Sequence, residues 1–510
     1  MNRTTLSLAV TAAALAAVTG VATLTVPDGT TDDAAPVAAA RLPVERTTLM
    51  CPSPGPSEIA STTYTALTPD GQDAGKGTAR LTAADGTDAT STDTKDKDKA
   101  KAKDEKPVAE PTKPGKPVTA TTSKTDAPAL IADAHDGLAP GFTVQQTTVV
   151  DAGAGRGILG ARCTAPDTEF WFPGVSTNKD RQDYVYLTNP DDTQAVVDVA
   201  LYGKEGLIRN EDGDDIPVPA HGSTSVLLST LTEEPTDILT LRVTARSGRV
   251  GAAVLAADDK LGGDWIQPAA DPAPRLVLPG IPKDATSVRL VAFAPGDADA
   301  ELGIRYSGPT GQITPAGNES LTVKSGMTAS ADFEGLTAGE GGSLILTPAE
   351  GTEAPVVAGL RVTRGKGDSA ETAFIPATEG IGERATAAGS WAAAEKDEVT
   401  TLSLVAPDEA VQVKVTSSAG SKGGTAAEKT YTVKSGTTLT LTELPLPEGK
   451  LTGSRFAFTV EKVEGGELYA ARMLQQKKDG VPMFTVQTLP DDHATVAVPE
   501  TRQDISLVGD

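Results

Sequence analysis

Short runs of alternating apolar and polar residues recur along most of the chain. The stretches AVVDVALYG (195–203), AELGIRYSG (300–308) and AVQVKVTSS (410–418) place apolar side chains at about every second position. Such alternation is typical of half-buried β-strands. Clusters of Gly, Pro, Asn and Asp separate these runs, as turns do between strands. After residue 30 no segment has an amphipathic helical pattern sustained over three turns, so the pattern predicts an all-β protein.

Three sets of landmarks return in the same order about 105–110 residues apart. Each set has a proline after a strand-like run, a glycine in a turn such as TVKSGMT or TVKSGTT, and an aromatic residue near its end. The positions are Pro190, Gly222 and Trp265; Pro295, Gly326 and Phe374; and Pro407, Gly436 and Phe484. About seven strands in about 100 residues is the size of an immunoglobulin-like sandwich. The repeats therefore predict tandem immunoglobulin-like β-sandwiches.

An earlier, fourth copy is expected at the N-terminal side. GAGRGILGARC (153–163) is similar to RSGRVGAAVLA (246–256), and EFWFPG (169–174) then takes the place of DWIQPA (264–269). In this alignment Cys51 lies on the first strand of the copy and Cys163 near its last strand. Two cysteines suit one disulfide in an exported chain, and such strands can be neighbours in a sandwich. We therefore expect a Cys51–Cys163 bridge.

A charged insertion interrupts this copy. Residues 85–124 contain nine Lys, eight Asp or Glu and no aromatic residue. Such a segment cannot bury enough apolar surface to offset its chain entropy, which predicts a disordered loop over about 83–125. A lysine-rich tether to wall polymer is the alternative.

The expected domain organisation follows from these landmarks. It comprises a signal peptide or N-terminal anchor helix (1–27), a linker (28–45), an N-terminal β domain (46–174), three sandwiches (175–272, 273–382 and 383–492) and a C-terminal tail (493–510).

The N-terminal segment places the remainder outside the cytoplasm. Arg3 precedes an Ala-, Val- and Leu-rich stretch that carries no charge until Asp28. The stretch is long enough to cross a bilayer, and it fits either a cleaved secretory signal or a retained anchor. Positive charge before it and acidic residues after it favour export. The net charge of −24 and the pI near 4.6 argue against nucleic acid, or an anionic membrane surface, as a partner. The membrane is therefore expected to contact only the N-terminal segment.

Several motifs suggest chemistry but lack its context. Gly155, Gly157 and Gly160 match G-x-G-x-x-G, yet a dinucleotide site needs a helix where the repeat predicts a strand. The acidic stretches 210–215 and 296–301 fit solvated turns or weak Ca²⁺ sites, without EF-hand spacing. The three histidines, His135, His221 and His493, have no metal-ligand neighbours at the required spacing. We therefore expect no catalytic, cofactor-binding or metal-binding residue, and no enzyme.

The densest aromatic cluster is Phe170, Trp171 and Phe172. On a strand, Trp171 faces away from the two phenylalanines. One side is expected to enter a core or an inter-domain contact, and the other side is a candidate interaction surface or sugar-stacking platform. Trp391 is expected to anchor a linker between repeats.

The chain also resembles a known family. The exported start, RLPVERTTLMCPSP (41–54), the charged insertion, GILGARCTAPDTEFWFPG (157–174) and YLTNPDDTQAVVDV (186–199) are similar to an uncharacterised family of secreted actinobacterial proteins, the domain of unknown function 5719 family. The resemblance extends over nearly everything after residue 40. It implies an extracytoplasmic protein without assigned catalytic residues, and it tilts the expected ligand toward cell-envelope polysaccharide.

Together these features favour a non-catalytic cell-envelope protein, either secreted or anchored by its N-terminus. Its sandwiches are expected to form a rod that presents surfaces to a partner protein or to wall polymer. The alternative is a carbohydrate-binding or accessory subunit for envelope polysaccharide glycosylation. An enzyme is the third hypothesis, because paired carboxylates are abundant in the sequence.

Overall fold

The computed structural model describes residues 40–55, 57–71, 73–84, 106–391, 398–449 and 451–498. The expected signal or anchor helix lies outside these residues. Within them the chain is all-β, with two short 3₁₀ helices at Leu228–Leu231 and Gly367–Ser369. None of the helices in the described part is long and apolar enough to span a membrane. The chain divides into a small unit (1–42 with 495–510) and a large one (43–494).

The small unit contains a two-stranded sheet. Strand β1 (Ala40–Pro43) pairs with β35 (Thr495–Val498). The Arg41 guanidinium donates hydrogen bonds to Thr495 Oγ1 at 3.0 and 3.1 Å. Segments expected as a linker and a tail are therefore partly paired strands.

The large unit contains four strand groups, which we call sandwiches 1 to 4. Sandwich 1 (46–162) consists of β2 (Arg46–Cys51), β3 (Ala60–Leu67), β4 (Gly77–Ala83), β5 (Val118–Thr122), β6 (Leu130–Asp136), β7 (Thr143–Val150) and β8 (Gly157–Arg162). Sandwich 2 (169–266) consists of β9 (Glu169–Val175), β10 (Arg181–Thr188), β11 (Ala195–Gly203), β12 (Gly206–Ile208), β13 (Ile216–Val218), β14 (Ser223–Leu227), β15 (Leu239–Ser247), β16 (Gly251–Asp258) and β17 (Gly262–Ile266).

The two C-terminal sandwiches follow the same plan. Sandwich 3 (276–376) consists of β18 (Leu276–Ile281), β19 (Ala285–Phe293), β20 (Ala300–Ser307), β21 (Gln312–Ile313), β22 (Ser320–Val323), β23 (Thr328–Glu334), β24 (Gly342–Pro348), β25 (Val357–Arg364) and β26 (Glu371–Pro376). Sandwich 4 (384–488) consists of β27 (Arg384–Trp391), β28 (Glu398–Ala406), β29 (Val411–Ser417), β30 (Ala427–Val433), β31 (Thr437–Leu441), β32 (Arg455–Gly465), β33 (Tyr469–Lys478) and β34 (Val481–Thr488).

All four sandwiches share one topology. Each has seven principal strands, lettered A to G in chain order, and the additional strands β12, β13, β21, β22 and β30 pair with strand C. One sheet has the order A-E-C and the other has the order D-B-F-G in every sandwich. An immunoglobulin domain has the order ABED and CFG. The repeats are thus β-sandwich-like, but their strand order differs from the predicted immunoglobulin type.

The predicted alternation produces the cores. Along β11, Ala195, Val197, Val199 and Leu201 are buried, and the residues between them are only partly buried. These side chains pack against residues of the second sheet, such as Val254 and Leu187. Fully burying one Val or Leu contributes about 1.5–3 kcal/mol, so each sandwich has a core that the sequence pattern specifies.

The alignment of the first copy was wrong by one strand. Strand β8, within GILGARC, is strand G of sandwich 1 and pairs with β7. Strand β9, which carries EFWFPG, pairs with β15 and is strand A of sandwich 2. The expected boundary after residue 174 therefore shifts to the segment between Arg162 and Glu169. The sequence similarity between a strand F and a strand G, both Gly- and Ala-rich, caused the error.

The repeated turn also shifts by one residue in sandwich 2. Gly326 and Gly436 have φ of +68° and +69°, which favours glycine at these positions. In sandwich 2 the positive φ of +48° belongs to His221, not to Gly222. His221 is therefore the counterpart of the turn glycines.

The predicted disulfide is confirmed. Cys51 at the end of β2 is bonded to Cys163, which directly follows β8, with a Cα–Cα distance of 4.4 Å. Both cysteines are buried in the core of sandwich 1. The bridge therefore ties strand A to the end of strand G.

The predicted disordered insertion, residues 83–125, extends too far toward the C-terminus, because the structure describes ordered residues from 106 onward. Val108 N–H donates to the Leu81 carbonyl at 2.7 Å, and Gly115 N–H donates to the Thr68 carbonyl at 2.8 Å. Residues 118–122 form strand D of this sandwich. Backbone pairing thus orders 106–125 despite their poor apolar content, while residues 85–105 lie outside the described part.

The four sandwiches close into a ring rather than forming the expected rod. Strand G of each sandwich contacts the G strands of two others, in the cycle β8, β17, β26, β34 and back to β8. These four G strands surround the centre of the ring, which we call the ring axis. Outside them, strand A of each sandwich packs on strand F of the next, and β27 of sandwich 4 packs on β7 of sandwich 1. The aromatic landmarks belong to this packing, since Arg181 lies 4.9 Å from the Phe374 ring and Arg364 lies 4.8 Å from the Phe484 ring.

Candidate functional site

The glycines of the G-x-G-x-x-G motif allow strand β8 to approach its neighbours on the ring axis. A Cβ atom on Gly160 would lie 2.6 Å from Gln487 Nε2 and 2.7 Å from Thr485 Oγ1. A Cβ atom on Gly157 would lie 2.8 Å from the Gly263 carbonyl oxygen. Since real contacts do not reach these distances, the motif serves the packing of three sandwiches rather than a phosphate group.

A buried carboxyl group stands at the middle of the axis. Asp264 Oδ1 accepts hydrogen bonds from the backbone N–H groups of Gly160 (3.0 Å) and Trp265 (2.8 Å) and from Thr485 Oγ1 (3.1 Å). These donors come from three different G strands. Burial raises the pKa of Asp264 well above its usual range, and the hydrogen bonds only partly oppose this shift. This carboxyl group thus joins sandwiches 1, 2 and 4.

One end of the axis is filled by an ion pair. Arg156, at the hairpin before β8, donates from Nε to Glu371 Oε1 at 2.7 Å and from Nη2 to the Asp368 and Ala370 carbonyls at 2.8 Å. Burial raises the pKa of Glu371 to about 7, although Arg156 lowers it. The arginine therefore fastens sandwich 1 to sandwich 3 across the ring.

The other end of the axis is open. Here the segments that follow the four G strands surround a cavity of about 600 Å³, which we call the axial basin. Its lining residues lie within 44–49, 142–143, 162–170, 268–271, 377–379 and 488–493, together with Arg249 and Thr386. A concave site at which several loops converge is a common place for ligand binding.

Arg162 lies at the end of β8 and lines the axial basin. It is partly buried, and burial lowers its pKa to about 10 while nearby Glu379 raises it. Its guanidinium makes no hydrogen bond or ion pair with any residue that the structure describes. The other axial arginine has a carboxylate partner, so Arg162 presents a full set of donors to the basin.

Apart from Arg162, acidic residues outnumber basic residues in the basin lining. It has three arginines and six carboxylates, and Arg46 and Arg249 pair with Asp133 and Asp191 outside the lining. The carboxylates are Asp167, Glu169, Asp271, Glu379, Asp491 and Asp492. Asp492 pairs with Arg384 at 2.6 Å, and Glu169 pairs with Arg242. Of the remaining carboxylates, Glu379 lies near enough to Arg162 to raise its pKa.

The predicted interaction surface is not available to a ligand. Phe170, Trp171 and Phe172 are 6%, 3% and 0% exposed. Phe170 and Phe172 lie in the core of sandwich 2, and Trp171 packs on Phe293 of sandwich 3 with ring centroids 5.3 Å apart. Both faces of β9 are therefore covered, one by its own sandwich and the other by the ring contact. Trp391 is also buried, against Ile158 of sandwich 1.

The histidines and acidic turns are dispersed. His221 Nε2 contacts Asp192 at 2.5 Å on the surface, and His493 lies at the basin 3.7 Å from Glu379. In the 210–215 turn, Asn210 Oδ1 accepts the Gly213 N–H at 2.7 Å and Asp215 pairs with Arg246. Within the described ranges, no three His, Cys, Asp or Glu residues are grouped so as to hold a metal ion.

A family model for proteins of unknown function, DUF5719, matches residues 118–443. The chain belongs to the DUF5719 family. The matched region begins at strand D of sandwich 1 and ends just after strand D of sandwich 4, so it contains most of the ring. No curated protein matches the chain.

The residues of the axis were missed in the sequence analysis. Arg156 lies within the glycine motif directly before β8, and Arg162 lies two residues after the motif at the end of the strand. The motif itself was the available signal, because a glycine-rich strand implies close approach of another backbone. The acceptors of Arg156 lie more than 200 residues away, so no local pattern in this DUF5719 member separates the paired arginine from the unpaired one.

Proposed function

We propose that this protein is a non-catalytic binding protein of the cell envelope, located outside the cytoplasm, and that the axial basin holds its ligand. The observation that carries the proposal is Arg162, a guanidinium without an acceptor among the described residues, in the cavity where four linkers converge. Burial of a charge without a hydrogen-bond acceptor is unfavourable, and Arg162 is partly buried, which favours an acceptor supplied by a ligand.

The surroundings of Arg162 support envelope polysaccharide as the ligand. Carboxylates from the linkers accept hydrogen bonds from sugar hydroxyls, and Thr164, Thr378 and Thr488 add hydroxyl groups that donate and accept. The buried disulfide supports a location outside the cytoplasm, since such bonds persist in oxidising compartments.

Binding to a purified envelope polysaccharide fraction tests the proposal. The full-length, oxidised protein is immobilised and compared with Arg162→Gln. Arg80→Gln is the matched control, because Arg80 is exposed on β4 of the same sandwich and lies outside the basin. We expect the first substitution to reduce binding at least tenfold and the second to leave it unchanged. Equal binding by all three proteins, or no binding by any, would refute the proposal.

Localisation needs a separate measurement. We expect added protease to degrade the ring in intact protoplasts, or the protein to occur in the medium if the N-terminal segment is cleaved. Protease-protected protein in the cytosol would exclude an envelope role.

A further inference from the structure

We propose that the axial basin binds a saccharide carrying a single carboxylate, such as one uronic acid residue within an otherwise neutral polysaccharide, and that it rejects densely charged polyanions. This inference rests on the proposed function and adds the charge class of the ligand.

The basin is built by four sandwiches but contains one arginine, Arg162, without a hydrogen-bond or ion-pair partner among the described residues. The last paired residues of the four G strands are Arg162 opposite Gln145, Ile266 opposite Val254, Pro376 opposite Gly359 and Thr488 opposite Ala471. Only the first of these residues is charged. The fork of a guanidinium matches one carboxylate in a bidentate arrangement. The basin is therefore built to fix one anionic group, at the side formed by sandwich 1.

Carboxylates from the other three linkers line the same basin as Arg162. Asp271 and Glu379 come from the linkers after sandwiches 2 and 3, and Asp491 comes from the linker after sandwich 4. Of these carboxylates, Glu379 is the one that interacts electrostatically with Arg162. A second anionic group on the ligand would meet these carboxylates, and like charges within a few ångströms repel. A monoanion is favoured over a phosphate chain.

The uncharged part of the ligand is expected to be rich in hydroxyl groups. Glu379 and Asp271 accept hydrogen bonds and donate none when ionised, so they suit a ligand rich in hydroxyl donors. Hydroxyl groups next to a carboxylate are the defining combination of a uronic acid. The same groups give an apolar chain no contact that compensates their desolvation.

The inference is tested by titration calorimetry on the full-length, disulfide-bonded protein with three defined probes. They are an oligosaccharide with one glucuronate, the same oligosaccharide after reduction of its carboxyl group to an alcohol, and tripolyphosphate. We expect the glucuronate probe to bind at least about tenfold more tightly than the reduced probe, a factor appropriate to a charge-assisted hydrogen-bonded pair. Tripolyphosphate is expected to bind more weakly than either.

The variants link this difference to the site. Arg162→Gln is expected to make the first two probes bind equally, and Arg80→Gln is expected to preserve the tenfold difference. Unreduced peptide mapping of Cys51–Cys163 and the melting temperature verify that Arg162→Gln is folded.

The outcomes separate this inference from the proposed function. Suppose the wild type binds both saccharides equally and Arg162→Gln loses binding to the envelope fraction. The inference that the ligand carries one carboxylate is then refuted, and the proposed binding function stands. Tighter, Arg162-dependent binding of tripolyphosphate also overturns the charge class. If no probe binds and the envelope fraction is insensitive to Arg162→Gln, both proposals fail.

Discussion

Arg156 directly precedes β8 and Arg162 is the last residue of that strand, yet their environments differ. Arg156 is held by Glu371 and two backbone carbonyls from sandwich 3. Arg162 lines an open basin and has no acceptor among the described residues. Arg156 closes one end of the ring axis, whereas at the opposite end no described residue occupies the guanidinium of Arg162, which remains free to bind a ligand. The comparison shows that partners, rather than residue type, separate a structural arginine from a binding one.

The largest effect is expected midway between the two arginines. Asp264→Leu removes the acceptor of three buried donors from three G strands, and each orphaned donor costs about 1–3 kcal/mol. We expect the free energy of unfolding to fall by about 3–6 kcal/mol. Asp264→Asn keeps the Oδ1 acceptor and resembles the neutral acid, so it should change stability by less than about 1 kcal/mol. Urea unfolding measures both; equal losses would show that the central carboxyl group is ionised.

Removing the paired arginine should cost more stability than removing the unpaired one. Arg156→Met leaves the carboxylate of Glu371 buried without a partner, and breaking such a pair costs about 3–5 kcal/mol. Arg162→Met removes no intramolecular hydrogen bond and should cost less than about 1 kcal/mol. The two variants make the same chemical change at the two ends of β8, so each controls for the other. Similar losses in urea unfolding would contradict the distinction between the two ends.

The pH dependence sharpens the comparison at the closed end. Burial raises the pKa of Glu371 to about 7, whereas an unfolded glutamate titrates near 4.3. Between these values the folded state binds more protons than the unfolded state. This contribution to stability is therefore present at low pH, falls as pH rises through the window, and is lost above about pH 7.

Glu371→Gln should remove that slope. We expect the decrease in unfolding free energy between pH 4.5 and 8 to be about 2–3 kcal/mol smaller in the variant than in the wild type. Urea unfolding at several pH values measures the difference. The same pH dependence of the unfolding free energy in both proteins would mean that the Glu371 carboxyl group has an ordinary pKa and that other contacts stabilise this end of the ring axis.

The smallest expected effect is on the open end. Raising the salt concentration from about 0.05 to 0.5 M should weaken binding of the glucuronate probe several-fold, because its partner Arg162 is reached by solvent. The stability of the protein should change little, since the ion pair of Arg156 is buried. A melting temperature that follows the salt dependence of binding would show that the basin also holds the ring together.

The predictions from the sequence succeeded where the determining interactions are local. Alternation along β11 identifies its buried residues, and the TVKSGMT and TVKSGTT strings identify turns whose glycines have positive φ. The cysteine pair was identified because two cysteines, in a chain that the sequence predicts to be exported, have one pairing available. Errors arose where similar strands occur twice in each repeat, as with β8, and where backbone pairing orders a polar segment, as at 106–122.

The amino-acid sequence by itself determined the strands, the repeat, the disulfide and the cores, because each depends on period-two burial, turn chemistry or cysteine count. Only the tertiary structure decided that the sandwiches close into a ring and that EFWFPG is buried inside it. It also decided the different roles of Arg156 and Arg162. The acceptor of a guanidinium depends on contacts between residues 215 positions apart, such as Arg156 and Glu371, and no local pattern encodes such a distance.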